Sequence, residues 1–588
     1  MKRFLALSLV ALTALGCSGG GASSSDQYGD ASVVLTDAAS DELAQFEVDV
    51  GNIVFTRRNG DTVAVMPRST RVDFAQLDSL GELVSGLSLP AGVYTRATLD
   101  LDFTDAQVVI DGQTTPASVR DASGAPITGV VPVTIDFPSG SRPLVGAARN
   151  NLFVFDLDLD QSIAVDATGN SVTFTPVFSV ELDPTNPHPI ATTGVLHSVD
   201  ANAGTFVVER RTPDDLVVRE ITVLTANDTA FQIDGGVQLG APGLGNLIGH
   251  IGERVFVQGT IAGGTFALAA AAVEIGAGVP GNGQDWLLGH VVARSGGPGL
   301  DATLTVLGRS RDVGTGTRTY NTQHTVTVSF ADTKVLRRGA GNGLDSDAIG
   351  IGQRVWVFGD LTGTALDATA TTGVVRLLPT SVFGIANSAP ANDTLTLDVT
   401  RFDLRAAALF DFTVDTVVQA DPHAFAIDVT GLSSTGITTG SKVRAIGWLA
   451  GVGSSGADAT ATTLVDRTST ASLLVCTWTP AANGVVVASG ANALGVDVAG
   501  AALHTVVDGF GSTTLTAAPQ PTLTALGLRG FYRIVQNGGL TVDRDFATFR
   551  ADVLARGATA PVRWVSAFGA FDAGSQAFAA GSVKVVFD

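Results

Sequence analysis

A chain of 588 residues is long enough for about four domains. Hydrophobic residues reach 45% while charged ones are only 15%, against about 25% in an ordinary soluble chain, and this excludes a globally disordered protein. The net charge of −21, with no basic track anywhere along the chain, argues against a nucleic-acid partner, and two Cys and seven His leave little material for a disulfide scaffold or a metal cluster.

The chain opens MKRFLALSLVALTALGC. Lys2 and Arg3 form a positive start, and residues 4–15 form an apolar run too short for a bilayer, which needs about 20 residues. Ala14-Leu15-Gly16-Cys17 resembles the lipobox of bacterial lipoproteins, with Ala14 where Leu is commonest. The resemblance implies a signal peptide over 1–16 and lipidation at Cys17. Residues 17–30 then read as the lipidated Cys and a Ser/Gly tether. Ser18, not Asp, follows the Cys; in enteric-type sorting this favours the outer membrane.

Residues 31–185 carry strand signals. Leu99, Leu101 and Phe103 alternate with Asp100 and Asp102, and Phe153, Phe155, Leu157 and Leu159 alternate with Asp156, Asp158 and Asp160. That period makes half-buried sheets. Helical periodicity is confined to 74–87, where Gly81 and Gly86 interrupt it, so one short helix at most is expected. Several landmarks occur in order: Leu35-Thr36-Asp37-Ala38, Val72-Asp73-Phe74, Leu89-Pro-Ala-Gly-Val-Tyr94, and the late Phe-Asp-Leu-Asp-Leu-Asp strand followed by Thr-Pro-Val. Together they resemble the lipoprotein-associated domain of unknown function 4382, with Ala39 where that family usually has Pro. The resemblance implies a β-sandwich in a bacterial envelope lipoprotein and no known activity.

A Pro-rich linker at 183–189 precedes a repeat. Gly194, Gly289 and Gly384 open three units at equal spacing. Ile251-Gly-Glu-Arg-Val-Phe-Val-Gln-Gly259, Ile351-Gly-Gln-Arg-Val-Trp-Val-Phe-Gly359 and Thr439-Gly-Ser-Lys-Val-Arg-Ala-Ile-Gly447 correspond, as do the Asp-Thr elements at 228–229, 332–333 and 415–416. Units of about 90 residues with Gly at sharp bends suit small closed barrels. The pattern resembles domain of unknown function 5666, a repeat of bacterial envelope proteins. The expected organisation is therefore all-β: an N-terminal β-sandwich followed by four small β-barrel-like repeats in series, at 190–277, 285–378, 381–468 and, more divergent, 471–588.

Candidate chemistry is sparse. If the strands bearing Asp100/Asp102 and Asp156/Asp158/Asp160 are neighbours, their carboxylates share a face that could hold Ca²⁺, which takes 6–8 oxygens; the plainer reading is a solvated outer face. Asp200-Ala-Asn202-Ala-Gly204 reads as a hairpin turn, because Arg211 stands where a calcium loop needs Glu. No two His have metal spacing, and no nucleophile elbow or phosphate loop is present. Cys476 reads as a buried strand thiol with no His close in sequence. Trp356 and Trp448 read as core. Trp286, after Gly-Asn-Gly-Gln-Asp285, is the expected exposed aromatic that could stack on a sugar or a partner.

These features point to a lipid-anchored envelope protein acting as a non-catalytic binding or scaffold protein. No cofactor is expected; the expected partners are the membrane through Cys17 and an envelope protein or polysaccharide. The alternatives are a carbohydrate-active enzyme with carboxylates in the first domain and a calcium-stabilised adhesin.

Overall fold

A computed structural model describes residues 28–588 except 39–41, 65–68, 78–80, 122, 138–141, 147–149, 167–168, 183–187, 212–216, 234–235, 262–266, 339, 341–343, 371, 468–471, 508–509, 511, 528–529, 537–538 and 573. Cys17 and the tether thus lie outside the described residues. Strands hold 59% of the described residues and helices 7%, so the chain is all-β as expected.

In the first unit, the alternation of apolar residues places two sheets face to face. One runs Phe178–Leu182, Asn150–Asp158, Tyr28–Ala38, Gly81–Pro90; the other runs Thr62–Ala64, Leu43–Arg57, Gly92–Ile110, Val130–Asp136. Leu99, Leu101 and Phe103 meet Phe153, Phe155 and Leu157 in one core, and the Phe55 and Phe153 rings, one from each sheet, are 4.8 Å apart. The stretch 74–87 departs from expectation. Only Phe74–Gln76 make a 3₁₀ turn, and Gly81–Pro90 is a strand antiparallel to Tyr28–Ala38. Glycine weakens a helix by about 1 kcal/mol. In the sheet it admits a close neighbour, since a Cβ at Gly81 would stand 2.5 Å from Val34 Cγ1.

The expected linker does not separate the first two units. Residues 183–187 lie outside the described residues, but His188 and Pro189 already belong to strand His188–Asp200, which pairs in parallel with Gly81–Pro90. Val34, Leu152 and Val154 of the sandwich share a core with Ile190, Leu196 and Phe206.

Three repeats close into five-stranded rings. In the first, His188–Asp200 pairs with Thr205–Arg211, then follow Val217–Leu224, Leu268–Ile275 and Arg254–Ile261, which returns to the start. The second runs Asp285–Ser295, Ala302–Arg311, Arg318–Val328, Ala365–Asp367, Arg354–Thr362 and back. The third runs Thr380–Ala386, Thr394–Phe402, Phe425–Asp428, Ala459–Asp466, Lys442–Leu449 and back. Each is a small Greek-key barrel of the OB type, a scaffold that does not by itself imply a function.

The motif glycines explain the closure. A Cβ at Gly259, Gly359 or Gly447 would stand 2.1, 2.3 or 2.0 Å from the carbonyl oxygen of Ala269, Asp367 or Thr460 on the closing strand. Gly569 of the fourth unit meets Ala579 O at 2.0 Å in the same way. The Asp-Thr elements are equivalent in only two units. Thr229 and Thr333 Oγ1 donate to Ala270 O and Ala368 O at 2.8 and 2.7 Å, tying a turn to the closing strand. Asp415-Thr416 instead turns a two-residue-stranded hairpin, Thr413–Val414 with Val417–Val418. The fourth unit keeps the hairpin Val562–Asp572 with Ala577–Phe587 but opens into a ten-stranded sheet whose described strands form no ring. It also carries the helix Phe546–Gly557, capped by Asp545, whose side chain accepts from Thr548 N–H at 2.9 Å.

The units follow one another along the chain but gather around the sandwich. Arg309 of the second repeat donates to Asp73 at 2.6 Å, and Tyr320 Oη to Gln107 Oε1 at 2.6 Å. Arg405 of the third repeat reaches Asp111 at 2.7 Å. Lys584 Nζ of the fourth unit donates to Thr175 O at 3.3 Å, and Ala164 packs with Leu473, Val475, Trp564 and Val586.

Candidate functional site

The acidic strands are not neighbours. Gly92–Ile110 and Asn150–Asp158 belong to opposing sheets with their apolar residues in the shared core, so their Asp sets leave on opposite sides of the sandwich. Asp100 accepts from Asn52 Nδ2 at 2.9 Å; Asp102 accepts from Thr104 Oγ1 and N–H, which hold its carboxyl below the usual range. Asp156 accepts from Thr36 Oγ1 at 3.0 Å, and Asp158 feels the buried Arg533 and Lys584 of the fourth unit. Asp160 does not continue the alternation, because the strand ends at Asp158 and Leu159–Ser162 form a helical turn. The single shared carboxylate face on which the calcium reading depended is therefore not formed. Alternation predicts which side of its own sheet a residue leaves from; it cannot tell which sheet the strand joins.

Trp286 is not an exposed platform in a linker. It lies in strand Asp285–Ser295, half-buried, edge-on to Trp356 at 6.2 Å and with the Arg309 guanidinium 5.8 Å from its ring centre. Trp356 and Trp448 are half-buried too, and Trp478 and Trp564 are fully buried. Cys476 is buried as expected, but strand register places His504 directly opposite it, a neighbour that sequence distance hid. Burial alone pushes the thiol up to about 12, so it stays protonated at neutral pH. In native protein at pH 8, Cys476 should resist iodoacetamide for as long as the urea-unfolded chain needs to react completely, read by intact mass; native labelling at the unfolded rate would contradict this.

A cleft lies where the sandwich meets the second and third repeats. This cleft of about 100 Å³ is lined by Gln45 of the sandwich, His290, Arg309 and Arg354 of the second repeat, and Arg405 and Arg444 of the third. Two directly paired glycines, Gly289 and Gly308, let its two strands approach: a Cβ on Gly289 would stand 2.8 Å from Gly308 Cα. His290 and Asp403 join the two repeats, Nε2 to Oδ2 at 2.7 Å. Asp403 sits in the left-handed region at φ 46°, which aims its carboxylate at both His290 and the Ser381 N–H, 2.8 Å from Oδ1. Burial opposes ionisation of Asp403, but the His290 hydrogen bond, Arg354 and Ser381 outweigh it and hold the carboxyl at about 2. Burial also lowers His290 from its usual range, so at neutral pH the imidazole is neutral and donates to Asp403. Asp111 beside Arg405 is shifted upward, burial outweighing the guanidinium.

This chemistry is that of a strut. His290 Nε2 is committed to Asp403, Arg309 to Asp73, Arg405 to Asp111 and Asn321, and Arg444 to Ser381. Among the described residues no Ser or Cys lines the cleft to be activated by the imidazole. No local pattern marks this convergence, since its residues are scattered from 43 to 444. No family model matches the chain, and no curated protein matches it.

Proposed function

We propose that the protein is a cell-envelope lipoprotein, anchored through Cys17, that works as a non-catalytic binding or scaffold protein. The observation that carries the reading is the gathering of four β-units on one sandwich, the first by strand pairing and a shared core, the second and third through arginine contacts at Asp73 and Asp111, and the fourth through Lys584 and an apolar cluster around Ala164. Charged groups that hold one another in place serve assembly, and rigid elements set side by side present a broad composite surface. The likeness of the first unit to domain of unknown function 4382, and of the repeats to domain of unknown function 5666, rests on their motifs and favours the same address. The carbohydrate-active and calcium-adhesin alternatives draw no support from the sandwich, whose Asp sets diverge.

Cys17→Ala is the test of the anchor. The variant should move from the detergent-soluble membrane fraction to the soluble fraction after cell lysis, and metabolic labelling with a palmitate analogue should be lost. Membrane association that survives the change would refute lipid anchoring.

A further inference from the structure

Along the chain no two histidines have metal spacing, yet strand register brings one of them against two carboxylates. His197, Glu209 and Glu220 come from three successive strands of the first barrel, and one ligand atom from each lies within 4.8 Å of the other two. Glu209 stands directly opposite Glu220. His197 is the extra residue of a β-bulge, where the pairing steps from Leu196–Val208 to Ser198–Val207, and its Nδ1 lies 2.8 Å from Glu209 Oε1.

The second barrel separates fold from function here. It has the same bulge, stepping from Val291–Val306 to Ala293–Thr305, and the extra residue is the buried Val292. Leu307 and Gln323 occupy the places of Glu209 and Glu220. The bulge is thus shared by the first two barrels (in the third the extra residue, Thr400, lies on the facing strand), and of those two only the first fills all three places with metal-ligating groups. Glu209, the central residue of the three, is buried at 5% exposure.

We propose that His197 Nδ1 and the carboxylates of Glu209 and Glu220 form a site for a divalent first-row transition ion. Imidazole nitrogen beside carboxylate oxygen suits such ions, whereas Ca²⁺ takes oxygen ligands. Zinc lies about 2.0–2.2 Å from N and O ligands in tetrahedral sites, so the ligand atoms of one ion stand roughly 3.3–3.6 Å apart. The His197–Glu209 pair at 2.8 Å must open and the widest pair, within 4.8 Å, must close by up to about 1.5 Å, adjustments within reach of side-chain rotations of the exposed His197 and Glu220. Three protein ligands leave a coordination position open. His197 and Glu220 are exposed, which gives the ion a route from solvent.

The test titrates ZnCl₂, and separately CaCl₂, into the chelator-stripped full chain by calorimetry. One saturable Zn²⁺ per chain is expected, undisturbed by equimolar Ca²⁺. His197→Ala and Glu220→Gln, both on the solvent side, should keep the wild-type melting transition. Each should weaken Zn²⁺ binding more than about tenfold, a loss that even outer-shell changes produce. The proposal is overturned if wild type takes up no Zn²⁺, if Ca²⁺ displaces it at equal concentration, or if the two variants bind as wild type does.

Discussion

Glu274→Ala is expected to destabilise the junction of the first and second repeats by about 3–5 kcal/mol, the cost of leaving a buried charge without its counter-ion. Glu274 and Arg376 are 4% and 2% exposed, one from each repeat. Arg376 Nε and Nη2 both donate to Glu274 Oε2, the former at 3.1 Å, and Nη2 also donates to Gly278 O at 2.8 Å. The guanidinium lies 4.9–5.5 Å from the ring centres of Phe256, Trp356 and Phe358, so water cannot reach it to compensate. Hydrogen exchange of strands Arg254–Ile261 and Val374–Leu378 is the suitable readout, because a chain of several units need not unfold in one step. Glu274→Leu combined with Arg376→Met should cost less than Glu274→Ala, since it leaves no unpaired charge. If the double change proved as damaging as the single one, packing and not charge would be holding the junction.

Gly447→Ala should be the second large effect, about 3 kcal/mol, at the upper end of overpacking. Its Cβ would stand 2.0 Å from Thr460 O and 2.8 Å from Ala461 Cα, and both belong to a strand that the ring cannot displace. Gly245 is the control. It lies within the helix Gly240–Leu247 and a Cβ there meets nothing within 4 Å, so Gly245→Ala should stabilise by up to about 1 kcal/mol. Thermal melts of the two variants should move in opposite directions; a Gly447→Ala melt unchanged from wild type would mean that the barrel closes without needing that contact.

What the sequence made legible was periodic or repeated. Alternation at 99–103 and 153–157 assigned the inward faces correctly, and the spacing of Gly259, Gly359 and Gly447 marked the barrel closures. The fourth unit was recognisable by Gly569 in the same place, though not the opening of its sheet. Local signals missed two helices. Gly240–Leu247 is rich in glycine and held by packing on Phe231, against its propensity. Phe546–Gly557, by contrast, was readable, with Asp545 as cap and Phe546, Phe549 and Val553 at helical spacing on one buried face. The candidate sites were illegible for a different reason. His290 with Asp403, Cys476 with His504, and His197 with Glu209 and Glu220 are joined by register or by docking of units, and neither leaves a mark on local spacing.

The docking of Lys584 on Thr175 spans 409 positions of the chain. A polypeptide made from its N-terminus completes the sandwich long before its strand Ala577–Phe587 emerges. Until then Leu473 and Val475 can cover only part of the flank around Ala164, and Trp564 and Val586 complete the cover. A prematurely terminated chain would therefore present an intact first unit with a partly uncovered apolar flank, the kind of surface that quality-control proteases and chaperones read as unfinished.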